Sequence, residues 1–291
     1  MQAVGFYLLL PFIYFVSVLP FPLLYVFSDL LYFGLYKLIG YRVKVVRRNL
    51  LLSFPEKTAG ELRDIEKKFY THLCDLMVET LKALTISEDE VRKRMKFRSG
   101  SMDVFDRLYK EGRPVVALMG HVGCWEWAGL SMSLQSRYHL RVIYRPLKQQ
   151  QFDQLFIKLR SRFGAQALAM DNVVKEMLGD KSRLACTVFI ADQTPLPDGA
   201  NWIKFLNQDT PFFQGAEKLS MRLKLPVVFA AVHFQRRGFY EIEITEITDD
   251  ASKLNAGELT SAFARRLEDD IRAIPHQWLW SHRRWKHQRK V

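Results

Sequence analysis

The sequence predicts an α/β fold, with a central sheet, largely parallel or mixed, flanked by helices and preceded by an N-terminal hydrophobic helical membrane anchor. Three observations carry this reading. Strand-like and helix-like stretches alternate through the second half of the chain, the pattern of βα units. Residues 1–28 hold no charged side chain. The 291 residues can bury one large core and leave little room for a second full domain. The expected division is an anchor at 1–40 and one α/β domain at 41–291.

From Ala3 to Ile39 the only charges are Asp29 and Lys37, a run long enough to reach through or deep into a bilayer. Pro11, Pro20 and Pro22 interrupt it, so a break near Pro20 is expected and the run forms either one short span or a bent, partly inserted hairpin. No Lys or Arg precedes the run and no A-x-A-like site follows it, which weighs against a cleaved signal peptide. Lys37, Arg42, Lys44, Arg47 and Arg48 follow with no acidic residue between Asp29 and Glu56, a bias that places the remainder on the cytoplasmic side.

Residues 57–85 read as a cover helix, because Leu62, Ile65, Phe69, Leu73, Leu76 and Leu81 recur at helical spacing. Strands are then expected at Val115–Met119, Leu140–Tyr144, Ala165–Ala169 and Leu184–Ala191, with helices at 124–136, 150–163 and 172–178 between them. A loop, a helix near 212–223, strands at Pro226–Phe234 and Tyr240–Ile247, and an amphipathic helix at about 255–273 complete the pattern.

The formal charge of +12 favours an anionic partner. Cys74, Cys124 and Cys186 stand alone, without metal-ligand spacing, so neither a disulfide framework, a metal site nor a cofactor is implied. No helix-turn-helix, zinc-finger or RNP pattern supports nucleic-acid binding.

In an open α/β sheet the ligand crevice lies outside the carboxyl ends of the strands. After the first predicted strand comes Gly120-His121-Val122-Gly123-Cys124-Trp125-Glu126, after the second Arg145-Pro146, and after the fourth Asp192-Gln193. His121 and Glu126 would lie about 140° apart on one continuous helix. They can meet only if His121 occupies the turn before the helix and Glu126 its first turns. A carboxylate there would fix the imidazole tautomer and leave the other ring nitrogen to take a proton from a hydroxyl. No Gly-x-Ser-x-Gly elbow is present, so direct attack by the acceptor hydroxyl is favoured over a covalent acyl-enzyme.

The His-x4-Glu block resembles the His-x4-(Asp/Glu) signature of glycerolipid and lysophospholipid acyltransferases. Its glutamate resembles the late acyltransferases of bacterial lipid A synthesis. Further blocks match that family in order: Tyr144-Arg145-Pro146 with Arg160-Ser161-Arg162-Phe163-Gly164, Ala191-Asp192-Gln193, and the closing run Gln277 to Lys286 around Trp278, Trp280, Arg283, Arg284 and Trp285. The segments Phe205 to Gly215 and Leu225-Pro226-Val227-Val228, and upstream Arg48-Asn49-Leu50 and Ser53-Phe54-Pro55-Glu56, extend the resemblance over nearly the whole chain. It implies an inner-membrane enzyme facing the cytoplasm that takes an acyl chain from acyl carrier protein or coenzyme A and esterifies a hydroxyl of a lipid A precursor.

On that resemblance His121 is expected as general base, Glu126 as its orienting carboxylate, and Arg145 as a phosphate or oxyanion ligand. Asp192 is expected as a partner of Arg145 or an acceptor contact. Trp125, Gln193, Arg283 and Arg284 are the expected substrate contacts, the last two within a basic tail running to Lys290. Leu147-Lys148-Gln149-Gln150 stands where the family usually has Asn-Pro, which leaves other acceptors open: glycerol phosphate, an aminolipid or a glycolipid. A non-catalytic, basic, membrane-tethered binding protein is the alternative of a different class.

Overall fold

The computed structural model describes residues 2–179 and 184–289. Two apolar helices open the chain, α1 (Gln2–Val18) and α2 (Phe21–Tyr32), the second continued as a π-helical stretch to Leu38. The break falls at Leu19–Pro20, as expected, whereas Pro11 is accommodated inside α1. Then come α3 (Val43–Ser53), the long α4 (Ala59–Lys82), α5 (Glu88–Arg94), β1 (Met95–Phe97) and α6 (Ser101–Lys110). Thr58 and Glu61 close a reciprocal capping box at the start of α4, satisfying amides that the first helical turn leaves open.

The α/β core runs β2 (Val115–Met119), α7 (Trp125–Gln135), β3 (His139–Tyr144), α8 (Gln150–Arg160), β4 (Gln166–Ala169), α9 (Val173–Gly179) and β5 (Ala185–Ile190). A hairpin of β6 (Asn201–Phe205) and β7 (Gln208–Phe212) follows, then α10 (Gly215–Leu223), β8 (Val227–Arg236), β9 (Phe239–Thr248) and α11 (Glu258–Ala273). The seven-stranded sheet is ordered β1-β9-β8-β2-β5-β3-β4. Its joints are parallel except β8–β9, so the sheet is mixed: β9 and β1 run against the other five strands. The segment expected as a loop after Asp192 contains β6 and β7 instead. These pair with each other outside the main sheet, a contact that their half-polar sequences do not announce.

All five residues of β2 are buried, as befits a central strand covered on both faces. Val115, Ala117 and Met119 join the core beneath α6 and α7, while Val116 and Leu118 face α10 and α11. Along α4, Phe69, Tyr70 and Leu73 serve one core and Leu76 the other, so this helix packs across the end of the sheet as the predicted cover. Both α1 and α2 pack on α4, with Val16, Leu24 and Val78 forming a small third cluster. Among the described residues no single helix is long and apolar enough to cross a membrane, and α2 with its continuation meets α3 at 87°.

Candidate active site

β2 and β5 are neighbours in parallel register, Met119 opposite Ile190. The turns leaving them therefore lie side by side at the carboxyl edge of the sheet, and Ala191 N–H donates to Met119 O at 3.0 Å. One turn carries His121 and the other Asp192. Gly123 shapes the first: its φ is +61°, and a Cβ there would stand 2.7 Å from Val232 Cγ1. This is a backbone state and a close approach that only glycine takes without cost.

Asp192 holds His121 twice. The imidazole Nδ1 lies 2.5 Å from Asp192 Oδ1, and the His121 backbone N–H donates to Oδ2 at 2.9 Å. Trp278 Nε1–H also donates to Oδ2, at 2.8 Å. Burial pushes the Asp192 carboxyl up, but the attraction of His121 and the hydrogen bonds from His121 and Trp278 outweigh it and hold the group below the usual carboxylate range. An ionised carboxylate on Nδ1 requires the proton there, so in the neutral imidazole Nε2 carries the free lone pair. Gln193 Nε2 stands 3.3 Å from His121 Nε2, in position to donate to it, and the half-buried Trp125 meets the imidazole edge-on with centroids 4.9 Å apart.

The sequence placed His121 in the turn and Glu126 in the first turn of α7, and both positions hold. The expected pairing of the two does not. Glu126, 8% exposed, accepts a two-pronged bond from Arg160, with Nε at 3.0 Å and Nη2 at 2.6 Å. A planar guanidinium fork facing a carboxylate is a strong and directional pair. Burial alone would lower the Arg160 pKa, yet Glu126 outweighs it and the net direction is upward. Asp192, not Glu126, orients the imidazole, and Asp192 makes no ion pair with Arg145 among the described residues. The sequence did not single out Arg160 as functional, although it opens the Arg-Ser-Arg-Phe-Gly block.

Arg145 follows β3 on the same rim, exposed and without an ion pair among the described residues. Arg283 is exposed. Arg284 departs from the expected basic tail: it is wholly buried, its Nη2 donates to Pro211 O at 2.8 Å, and its guanidinium lies 4.6 Å from the centre of the Phe212 ring. Burial pushes it down to about 10. Lying under the β6–β7 hairpin, it has no surface to offer a substrate. Lys290 lies outside the described residues. His282, within the closing run but not among the expected substrate contacts, accepts from Thr194 N–H at 3.3 Å through its Nε2, and burial holds it down to about 4, so it is neutral at ordinary pH.

A buried carboxylate fixing an imidazole whose other nitrogen faces outward is the arrangement that takes a proton from an incoming hydroxyl or thiol. Among the described residues no serine or threonine hydroxyl bonds to His121. The thiol of Cys124 is wholly buried, which pushes its pKa well up and leaves it a poor nucleophile.

Comparison with known proteins places the chain in one family. Residues 1–287 match a family described as bacterial lipid A biosynthesis acyltransferase. A lipid A biosynthesis acyltransferase of Haemophilus influenzae is 21% identical over 250 residues, 83% of this chain and 76% of the relative. A lipid A biosynthesis palmitoleoyltransferase of Escherichia coli is 22% identical over 247 residues, 84% of this chain and 79% of the relative.

Proposed function

We propose, from the premise that this chain belongs to the bacterial lipid A biosynthesis acyltransferase family, that it moves a fatty acyl group from acyl carrier protein or coenzyme A to a hydroxyl of a lipid A precursor. The observation that carries the mechanism is the His121–Asp192 pair with Nε2 turned outward. The acceptor hydroxyl gives its proton to His121 Nε2 as its oxygen attacks the thioester carbonyl. The tetrahedral oxyanion then collapses, the carbon–sulfur bond breaks, and the departing thiolate takes the proton back from the imidazolium, leaving ester and free thiol.

Asp192 stabilises that imidazolium. The Glu126–Arg160 pair fixes the first turn of α7 against the end of α8 and so shapes the crevice wall. Arg145 and Arg283 are the exposed cations for phosphate on donor or acceptor, while Trp125 and Gln193 border the imidazole. The formal charge of +12 suits an acidic carrier protein and a phosphorylated lipid. Residues 1–40 act as the membrane anchor and 41–291 as the catalytic domain, on the cytoplasmic face of the inner membrane. The charge-free opening run followed by exposed Lys37, Arg42, Lys44, Arg47 and Arg48 supports this placement.

Purified full-length protein given labelled acyl carrier protein or acyl-coenzyme A tests the proposal, with lipid A precursor, glycerol phosphate or a glycolipid as acceptor and mass spectrometry of the products. Ester formation on the lipid A precursor is expected, with a loss of about 10³-fold or more in His121→Ala. Full activity in that variant, or acylation of the other acceptors alone, would reject it.

A further inference from the structure

The two apolar helices do not project freely from the catalytic domain; one side of each is tied down by polar bonds. Lys158 Nζ donates to Tyr14 Oη at 2.9 Å and Lys82 Nζ to Leu19 O at 2.8 Å, and Thr85 Oγ1 donates to Ser17 O. On α2, Tyr25 Oη donates to Glu79 at 2.8 Å and Ser28 Oγ to Asp75 at 2.6 Å, while Arg237 bridges Asp29 and Asp75. These ties run from Tyr14 to Asp29, across the turn of the hairpin, to α4 and the residue Thr85 beyond it, to α8 and to the β8–β9 turn.

The opposite side is apolar and open. Tyr7, Leu8, Phe12 and Phe15 on α1, and Val26 and Leu30 on α2, are each between 47% and 77% exposed. A contiguous exposed apolar face of this kind marks an interaction surface. At the far end the chain turns by 87° into α3, where Arg42, Lys44, Arg47 and Arg48 are exposed. An apolar sheet edged by cations matches one partner in both respects, a leaflet with anionic headgroups.

We propose that α1 and α2 lie in the plane of one anionic leaflet as an inserted wedge, with both ends of the hairpin on the side of the catalytic domain. This rests on the membrane placement proposed above. The 17 residues of α1 reach about 25 Å, short of the roughly 30 Å of hydrocarbon. Standing α1 upright would break its ties or draw the charged α4 and α8 into lipid. Lying flat keeps every tie, sinks the open face and leaves the cations of α3 at headgroup level. The wedge also runs beside α8, where Phe6 packs edge-on against Phe152. Arg160 ends that helix and holds Glu126, so the wedge packs on the same helix that braces the first turn of α7.

The test uses the full chain in bacterial cells, tagged at one terminus or the other. Protease is added to inverted inner-membrane vesicles and to spheroplasts. Loss of both tags in inverted vesicles and of neither in spheroplasts is the expected result. Loss of the N-terminal tag in spheroplasts would show a span and overturn the wedge. Recovery of the protein in the soluble fraction would instead overturn the membrane placement itself.

Binding of the purified protein to vesicles of phosphatidylethanolamine and phosphatidylglycerol (about 3:1) gives the second measurement. Phe12→Asp and Leu30→Asp are each expected to cut binding about tenfold or more without changing thermal unfolding. Unchanged binding in both would overturn the assigned face. Equal binding of the native chain to pure phosphatidylcholine would overturn the assigned charge preference.

Discussion

At Asp192 three donors converge on one buried carboxylate, two from His121 and one from Trp278. Asp192→Asn keeps the shape but can present an amide N–H to Nδ1, which forces the ring proton to Nε2 and removes the base. A fall in kcat of about 10³-fold to 10⁴-fold is expected with an unchanged circular dichroism spectrum; a fall of less than tenfold would remove Asp192 from the mechanism. Glu126 behaves differently, because its partner Arg160 is largely buried with it. Glu126→Ala leaves that guanidinium unpaired, so about 3 kcal/mol of stability should go with the activity. The sequence alone, seeing only a pairing with His121, implied no such loss. Denaturant unfolding of Glu126→Ala, Arg160→Ala and the double variant should show coupling, with the double variant less destabilised than the sum of the singles.

Among the elements, α4 carries a pH signature that its own contacts explain. Glu79 is wholly buried, accepts from Tyr25 Oη and from Tyr240 Oη at 2.9 Å, and presents its carbonyl to Trp127 Nε1 at 2.8 Å. It thereby joins α2, β9 and α7 beneath the catalytic turn. Burial pushes its carboxyl up to about 7 from 4.5. An acid whose folded pKa is raised holds its proton in the folded state while the unfolded chain loses it. Stability therefore declines as pH rises from about 4.5 to 7 and levels off above, a loss of about 3 kcal/mol from this group. Burial likewise raises Asp270 on α11 to about 7, so Glu79→Gln should lessen that slope in unfolding curves across the window and leave the part due to Asp270; an unaltered slope would mean that Glu79 does not contribute to it. The same scale shows what sequence can and cannot reveal. β2 is an uninterrupted apolar run and β5 is broken only by Thr187, so both are legible, because a strand buried on both faces needs little else. The three-residue β1 and the β6–β7 hairpin exist only through partners distant in the chain or through the turn at Leu206–Asn207, so local pattern could not announce them. For the same reason the rim position of His121 was readable from the crevice rule, whereas its partner lies 71 residues away and is fixed by β5 being the neighbour of β2. Arg284 reads as tail charge until the hairpin folds over it.

Across the whole molecule, the segment after α11 works as a strap over the site. Gly123 N–H donates to Gln277 O at 3.0 Å, Val122 bridges Trp278, and Thr194 is held by His282 and by Arg284 O. The strap is itself clasped from α3: Asn49 Nδ2 donates to Trp280 O at 2.9 Å and to His282 O at 3.1 Å, and Arg42 donates to Ser281 O at 3.0 Å. The helix beside the basic surface thus reaches the His121 turn and the Asp192 loop through one continuous set of bonds. Trp278→Phe keeps most of the packing and removes the donor to Asp192, a hydrogen bond to a charged group worth about 1.5–3 kcal/mol. Since that bond aims the carboxylate rather than binding substrate, the loss should appear in kcat, about tenfold or more, with KM nearly unchanged. Asn49→Ala, far from the imidazole, should lower kcat by a smaller factor in the same pattern. If both act by loosening one strap, the double variant should fall short of the product of the two losses. Strictly multiplicative losses, or a change confined to KM, would separate the strap from the positioning of Asp192 and leave it a structural closure alone.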